Sequence, residues 1–165
     1  MKLDEAKQHF IQSWGTLGSN WGVNRTMAQI HALLLVSNEP ISTEDMMEQL
    51  QISRGNANMN TRTLIEWGIV TKTHIPGERK EFFVTDKDIW ALARQVVKQR
   101  RQREIEPMLR VLQEVKNVEG NDKETKEFKG LIDDIDSFTQ KADDLMDKFI
   151  RSDEHWFYRQ LLKMV

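Results

Sequence analysis

The sequence contains no cysteine, so disulfides, thiolate nucleophiles and cysteine-ligated zinc are all excluded. No apolar run approaches the roughly eighteen residues that a spanning helix requires. The opening residues Met1 to Lys7 are charged and amphipathic at once and lack a signal-peptide core, so a cytoplasmic protein is expected. A strong charge of either sign is missing too: the net charge of −2 does not point to a polyanionic partner. What is present, 39% hydrophobic and 30% charged residues, suffices to bury a core and is not the composition of a disordered chain.

The near-neutral total hides a polar distribution. Between Gln51 and Lys80 five bases (Arg54, Arg62, Lys72, Arg79, Lys80) face two acids (Glu66, Glu78), for a local charge of +3. Between Glu119 and Glu154 twelve acids face six bases, for −6. A basic middle segment can meet phosphates even when the whole chain is acidic.

Periodicity divides the chain into helices and one hairpin. Leu3, Ala6, Phe10, Trp14 and Leu17 recur at three- and four-residue steps, the stripe of an amphipathic helix, which Gly15, Gly18 and Gly22 are expected to break. A second helix is expected from Asn24 to Val36, with Met27, Ile30, Leu33, Leu34 and Leu35, and stops before Pro40. Ser42 and Asp45 form an approximate capping box for a short helix with Met46, Met47 and Leu50 inward. After the turn at Gln51 and Ile52, Ser53 caps a helix reaching Trp67, and Gly68 suits a left-handed end. The β-branched and aromatic stretches Ile69–Ile75 and Lys80–Thr85, with Pro76 to Arg79 between them, predict a hairpin with a four-residue loop. A capping box at Thr85 and Asp88 opens a long helix, which Pro107 should kink or restart. The stripe resumes at Met108, Leu109, Leu112 and Val115 and breaks at Glu119 to Asp122. A last helix carries Leu131, Ile135, Phe138, Ala142, Leu145 and Phe149, a heptad spacing that marks a seam between helices.

Helix, helix, turn, helix, hairpin is the order of a winged helix-turn-helix. The expected fold is therefore mainly α with a small β-hairpin wing, flanked by N- and C-terminal dimerisation helices. Its divisions are 1–20 for an N-terminal packing or dimerisation helix, 21–90 for the winged domain and 91–165 for a C-terminal helical dimerisation region.

The helix after Ser53 carries the functional signal. Steps of 100° from Ala57 put Ser53, Asn60, Thr61, Leu64 and Gly68 on the inward side. Gly55, Asn58, Met59 and Arg62 fall opposite, with Arg54 at the flank. Arginine can bond guanine O6 and N7 in pairs, and asparagine can do the same with adenine N6 and N7. The N-terminus at Ser53 suits a phosphate, and the wing cations Arg79 and Lys80 suit flanking phosphates or a minor groove. The candidate DNA-binding residues are Ser53, Arg54, Gly55, Asn56, Asn58, Met59, Arg62, Arg79 and Lys80. The competing interpretation is a solvated polar face and an ordinary charged turn.

Other signals carry less. The run from Lys98 to Arg103 reads as a solvated face of a linking helix more readily than as a second DNA contact. His9, His31, His74 and His155 lie far apart and no metal site is expected. The adjacent pairs Asp133–Asp134 and Asp143–Asp144 diverge around a helix, so they do not make a general acid/base pair. No phosphate loop and no nucleophile–base set occurs, so neither enzyme activity nor a cofactor is expected.

Four motifs together resemble the GbsR-type members of the MarR group. They are Trp21 to Leu34 (WGVNRTMAQIHALL), Ile52 to Asn60 (ISRGNANMN), Glu66 to Val70 (EWGIV) and Pro76 to Phe83 (PGERKEFF). The resemblance covers about residues 20–90; beyond about Lys116 it extends only to helical character. It implies a winged-helix dimer that binds double-stranded DNA and controls transcription, with Ser53 to Trp67 as recognition helix and Ile75 to Lys80 as wing tip. It also leaves room for a small-molecule effector. Some GbsR-like regulators are associated with quaternary ammonium osmoprotectants, which aromatic faces bind well. Trp14, Trp21, Trp90 and Trp156 are candidates for such a pocket, against core packing for each. Trp156, Phe157, Leu161 and Leu162 are further candidates for apolar dimer surface. A different class remains open: a winged helix used as a protein-interaction module, with the acidic C-terminal helix as its working face.

Overall fold

The computed structural model describes residues 1–152, so Trp156, Phe157, Leu161 and Leu162 lie outside the described residues. The chain divides into two compact units, Met1–Leu92 and Ala93–Val165.

The first unit is built on α1 (Leu3–Asn20) and α2 (Arg25–Val36). Asn24 caps α2 by accepting from the Met27 amide at 3.2 Å, and every residue from Met27 to Leu34 is buried. A helix apolar nearly all round belongs at a core, and α2 is that core. The glycines of α1 do not break it. Gly15 and Gly18 lie inside the helix, and a Cβ at either would come within 2.6 Å of Gln29 or Ala28 on α2. They form the notch that lets two helices approach closely. The inward face of α1 is accordingly Ile11 and Gly15, while Leu3 and Leu17 of the expected stripe are exposed.

Next come β1 (Ile41–Ser42), α3 (Thr43–Leu50) and α4 (Arg54–Glu66). The capping box at Ser42 is present: its amide donates to Asp45 at 2.8 Å, and its hydroxyl accepts from the Asp45 amide at 3.2 Å. Met46 is fully buried and accepts from the Thr61 hydroxyl, tying α3 to α4. Gln51 closes α3 in the left-handed region with φ 54°. Gly68, with φ 71°, turns the chain out of α4 into the wing.

The wing is β2 (Val70–Thr73) and β3 (Phe82–Thr85), shorter than the expected strands and joined by residues 74–81 rather than by four residues. The sheet has a third strand that the sequence pattern does not reveal: β1 pairs antiparallel with β3, giving the order β1-β3-β2. Phe82 and Phe83 are buried by this arrangement. The expected Thr85–Asp88 capping box is not formed. Asp88 alone caps α5 (Ile89–Arg100), accepting from Trp90 and Ala91, while the Thr85 hydroxyl donates to the Ile69 carbonyl at 2.8 Å.

In the second unit the helix widens before Pro107. Residues Arg101–Ile105 form a π-helical turn, and the Glu106 amide reaches back to the Arg101 carbonyl, before α6 (Glu106–Val115). Proline near the start of α6 has no amide to donate and its ring crowds the preceding turn. The wide turn accommodates both. Asp122 caps α7 (Lys123–Arg151), bonding the Thr125 amide at 2.9 Å.

The face of α7 that is buried is not the heptad stripe. It is Ile132, Asp136 and Thr139. Asp136 receives Lys116, Gln113 and Gln140, so a polar node lies at the α6–α7 contact. The stripe itself faces water, with Leu131 58%, Phe138 73% and Leu145 67% exposed.

Candidate nucleic-acid interface

The helix α4 starts with Ser53, whose hydroxyl accepts from the Asn56 amide at 3.2 Å. Ala57, Asn60, Thr61 and Leu64 are buried. Arg54, Gly55, Asn58, Met59 and Arg62 are all exposed, Met59 by 58%. Ser53 and Gly68, placed inward by the 100° steps, are exposed because they flank the helix rather than continue it. The helix thus offers one unbroken polar face with a single thioether in its middle.

Asn56 stands apart from its neighbours. It is half-buried, accepts from the Asn60 amide group at 2.7 Å and donates to Thr26 at 3.5 Å. Its side chain links α4 to the start of α2. Asn58 is exposed, and its amide oxygen accepts from the Thr43 hydroxyl at 3.4 Å.

Arg79 and Lys80 are exposed in the loop of the wing. Two acids, unnoticed in the sequence, lie among these cations. Glu44, in the first turn of α3, accepts from Arg54 at 2.9 Å. Its carboxyl is held below the usual range by its own backbone amide first, then by Arg54, with Lys80 adding from the wing. Glu81 accepts from Lys72 at 2.7 Å and is lowered chiefly by that contact, with Arg62 and His74 adding. Cross-strand neighbours could have hinted at Lys72 and Glu81; no local spacing relates Glu44 to Arg54, ten residues apart.

Two members of the basic run from Lys98 to Arg103 are paired within their own unit. Arg101 forms a two-pronged contact with Asp143 at 2.7 and 3.0 Å, and Arg100 reaches Glu104 at 3.3 Å. Trp14 packs on Phe10 and on His31, with ring centres 5.3 and 6.3 Å apart, while Trp21 is exposed. Trp90 is half-buried. A cleft of about 220 Å³ between α1, α2 and α3 is lined by Asp4, Lys7 and Ile11 among others, and contains no aromatic residue. Among the described residues no group of three or more His, Asp or Glu could hold a metal, and no helix is long and apolar enough to cross a membrane.

A two-helix turn with a polar, outward second helix and a hairpin at its side defines a winged helix-turn-helix. Known proteins agree with that class. The chain is similar to the HTH-type transcriptional repressor GbsR of Bacillus subtilis (strain 168), with 25% identity over 88 residues. That stretch is 53% of this chain and 48% of the relative, so the chain spans about half the length of the curated protein it matches. A solved structure described as a transcriptional regulator superposes with a TM-score of 0.67, covering 88% of this chain and 95% of its own, at 16% identity. At that identity the likeness concerns the fold. No family model matches the sequence.

Proposed function

We propose that this chain is a sequence-specific transcriptional regulator that binds double-stranded DNA in the cytoplasm as a homodimer on an inverted-repeat operator. The observation that carries the reading is the face of α4, where Arg54, Gly55, Asn58, Met59 and Arg62 are all open to solvent beside a cationic wing. Arg54, Asn58 and Arg62 supply paired donors and acceptors for base edges, and Met59 an apolar contact. The exposed Ser53 and amides at the start of α4, with Arg79 and Lys80, hold phosphates. Asn56 takes a different part: it fixes the angle of α4 against α2, so that the reading face keeps its aim.

A single recognition helix reads only a few base pairs, and a two-fold pair reads half-sites about one turn apart. The exposed stripe of α7 supports pairing, since contiguous apolar surface of this kind marks an association site. A small effector would act by altering the spacing of the two recognition helices.

The test is binding to the chain's own upstream DNA and to a scrambled duplex across a salt series. A specific reader prefers the native duplex and weakens steeply as salt rises, because bound cations release counterions. Arg54→Ala and Arg62→Ala should each reduce that preference by roughly fivefold to a hundredfold. The exposed α7 stripe also suits a protein-interaction module. That second reading gains if wild-type protein binds neither duplex at low salt.

A further inference from the structure

The two carboxylates beside the reading face are unexpected at a surface meant for phosphates. Of the two, Glu44 touches a residue of α4 itself. An exposed ion pair of this kind contributes little to stability, so stability does not explain an acid there. Its geometry offers another account. Glu44 occupies the first turn of α3, where a negative charge is favoured by the helix N-terminus.

Arg54 meets it through a single terminal nitrogen at 2.9 Å. A guanidinium has five N–H donors in a rigid plane, so one contact leaves the rest to engage a base or phosphate as a pair. Holding the guanidinium in advance also removes part of the rotamer entropy that an arginine loses on ordering. Lys80 acts on the same carboxyl from the wing. One acid of α3 is therefore bonded to a cation of α4 and feels the charge of a cation on the wing.

We infer that Glu44 is a positioning residue for sequence discrimination, orienting the Arg54 guanidinium for paired contact with DNA while its own carboxylate stays out of contact with DNA. The inference rests on the DNA-binding reading above. Removing the charge has opposite effects on two measurable quantities. Affinity for any duplex rises, because a negative charge near phosphates is lost. Preference for the right duplex falls, because Arg54 is no longer aimed.

The experiment compares wild type, Glu44→Gln, Arg54→Ala and the double variant. The probes are the duplex that wild-type protein enriches from a random library and a scrambled copy of it. Thermal melts confirm folding, which Glu44→Gln should preserve because Glu44 is half-exposed. The expected result is a loss of preference by roughly threefold to tenfold for Glu44→Gln, with none in the Arg54→Ala background. Glu44→Asp, whose shorter side chain keeps the charge, should restore only part of it. If Glu44→Gln strengthens binding to both duplexes equally, Glu44 merely competes with DNA for Arg54 and the inference falls, while the DNA-binding reading stands. An unchanged preference also overturns it. If wild-type protein enriches no sequence, both fall together.

Discussion

His31 makes a sharp test of how the core of the first unit is built. It lies on α2, 5% exposed, and its Nε2 has no hydrogen-bond partner among the described residues. Burial lowers its pKa from 6.5 to about 4. Above pH 6.5 the ring is neutral in both folded and unfolded chains and has no effect on the pH dependence of stability. Below that value the unfolded chain takes up a proton that the folded chain refuses, and stability falls by about 1.4 kcal/mol per pH unit. The loss should reach about 2 kcal/mol at pH 5 and level off near about 3 kcal/mol as the folded pKa is passed. His31→Leu removes the titrating group and suits an apolar helix. The assay is urea denaturation of both proteins from pH 7 to pH 4.5, at one protein concentration because association would shift the midpoint. Carboxylates titrate alike in both, so the difference between the two curves isolates His31. It should widen in favour of His31→Leu as pH falls. Parallel curves would refute the claim that this imidazole is buried neutral without a proton acceptor.

Three further outcomes follow from the packing. Gly18→Leu should destabilise the first unit by roughly 1–3 kcal/mol in urea titration, since a Cβ there already meets the Ala28 side chain at 2.6 Å. Asp136→Asn should cost roughly 1–3 kcal/mol, because a buried acceptor shared by Lys116, Gln113 and Gln140 loses its charge. Lys116 is the main cause that keeps the Asp136 carboxyl below its usual range, so wild-type protein holds this contribution at neutral pH and loses it as pH falls below about 3.9, through the lower folded pKa. Phe138→Glu on the open α7 stripe should leave the thermal melt of dilute protein nearly unchanged but shift sedimentation towards the monomer; an unaltered sedimentation profile would remove α7 from the proposed pairing surface.

Local signals carried much of this protein. Ser42, Asp45 and Ser53 fall at caps because short polar side chains bond amides a few residues ahead, wherever the rest of the chain goes. The 100° rule sorted Ala57, Asn60, Thr61 and Leu64 from Gly55, Asn58, Met59 and Arg62 because a regular helix has one period. Failures occurred where a distant neighbour overrides local preference. Gly15 and Gly18 look like breakers alone and become a contact notch only when α2 arrives. A strand of two residues, Ile41 and Ser42, is too short to show a period, and its pairing with Phe82 and Phe83 spans about forty residues of chain.

The sequence by itself therefore determined the order of the helices and the hairpin, the caps at Ser42 and Ser53, and which side chains of α4 share a face, since all of these depend on neighbours within one or two helical turns. The tertiary structure alone decided which of two adjoining stripes on α7 turns inward. Periodicity makes a helix amphipathic, but Gln113 of α6 and Lys116 just after it select the polar stripe around Asp136 and leave Phe138 and Leu145 to the solvent. It alone also placed Glu44 against Arg54, for no local rule connects two charged residues on different helices.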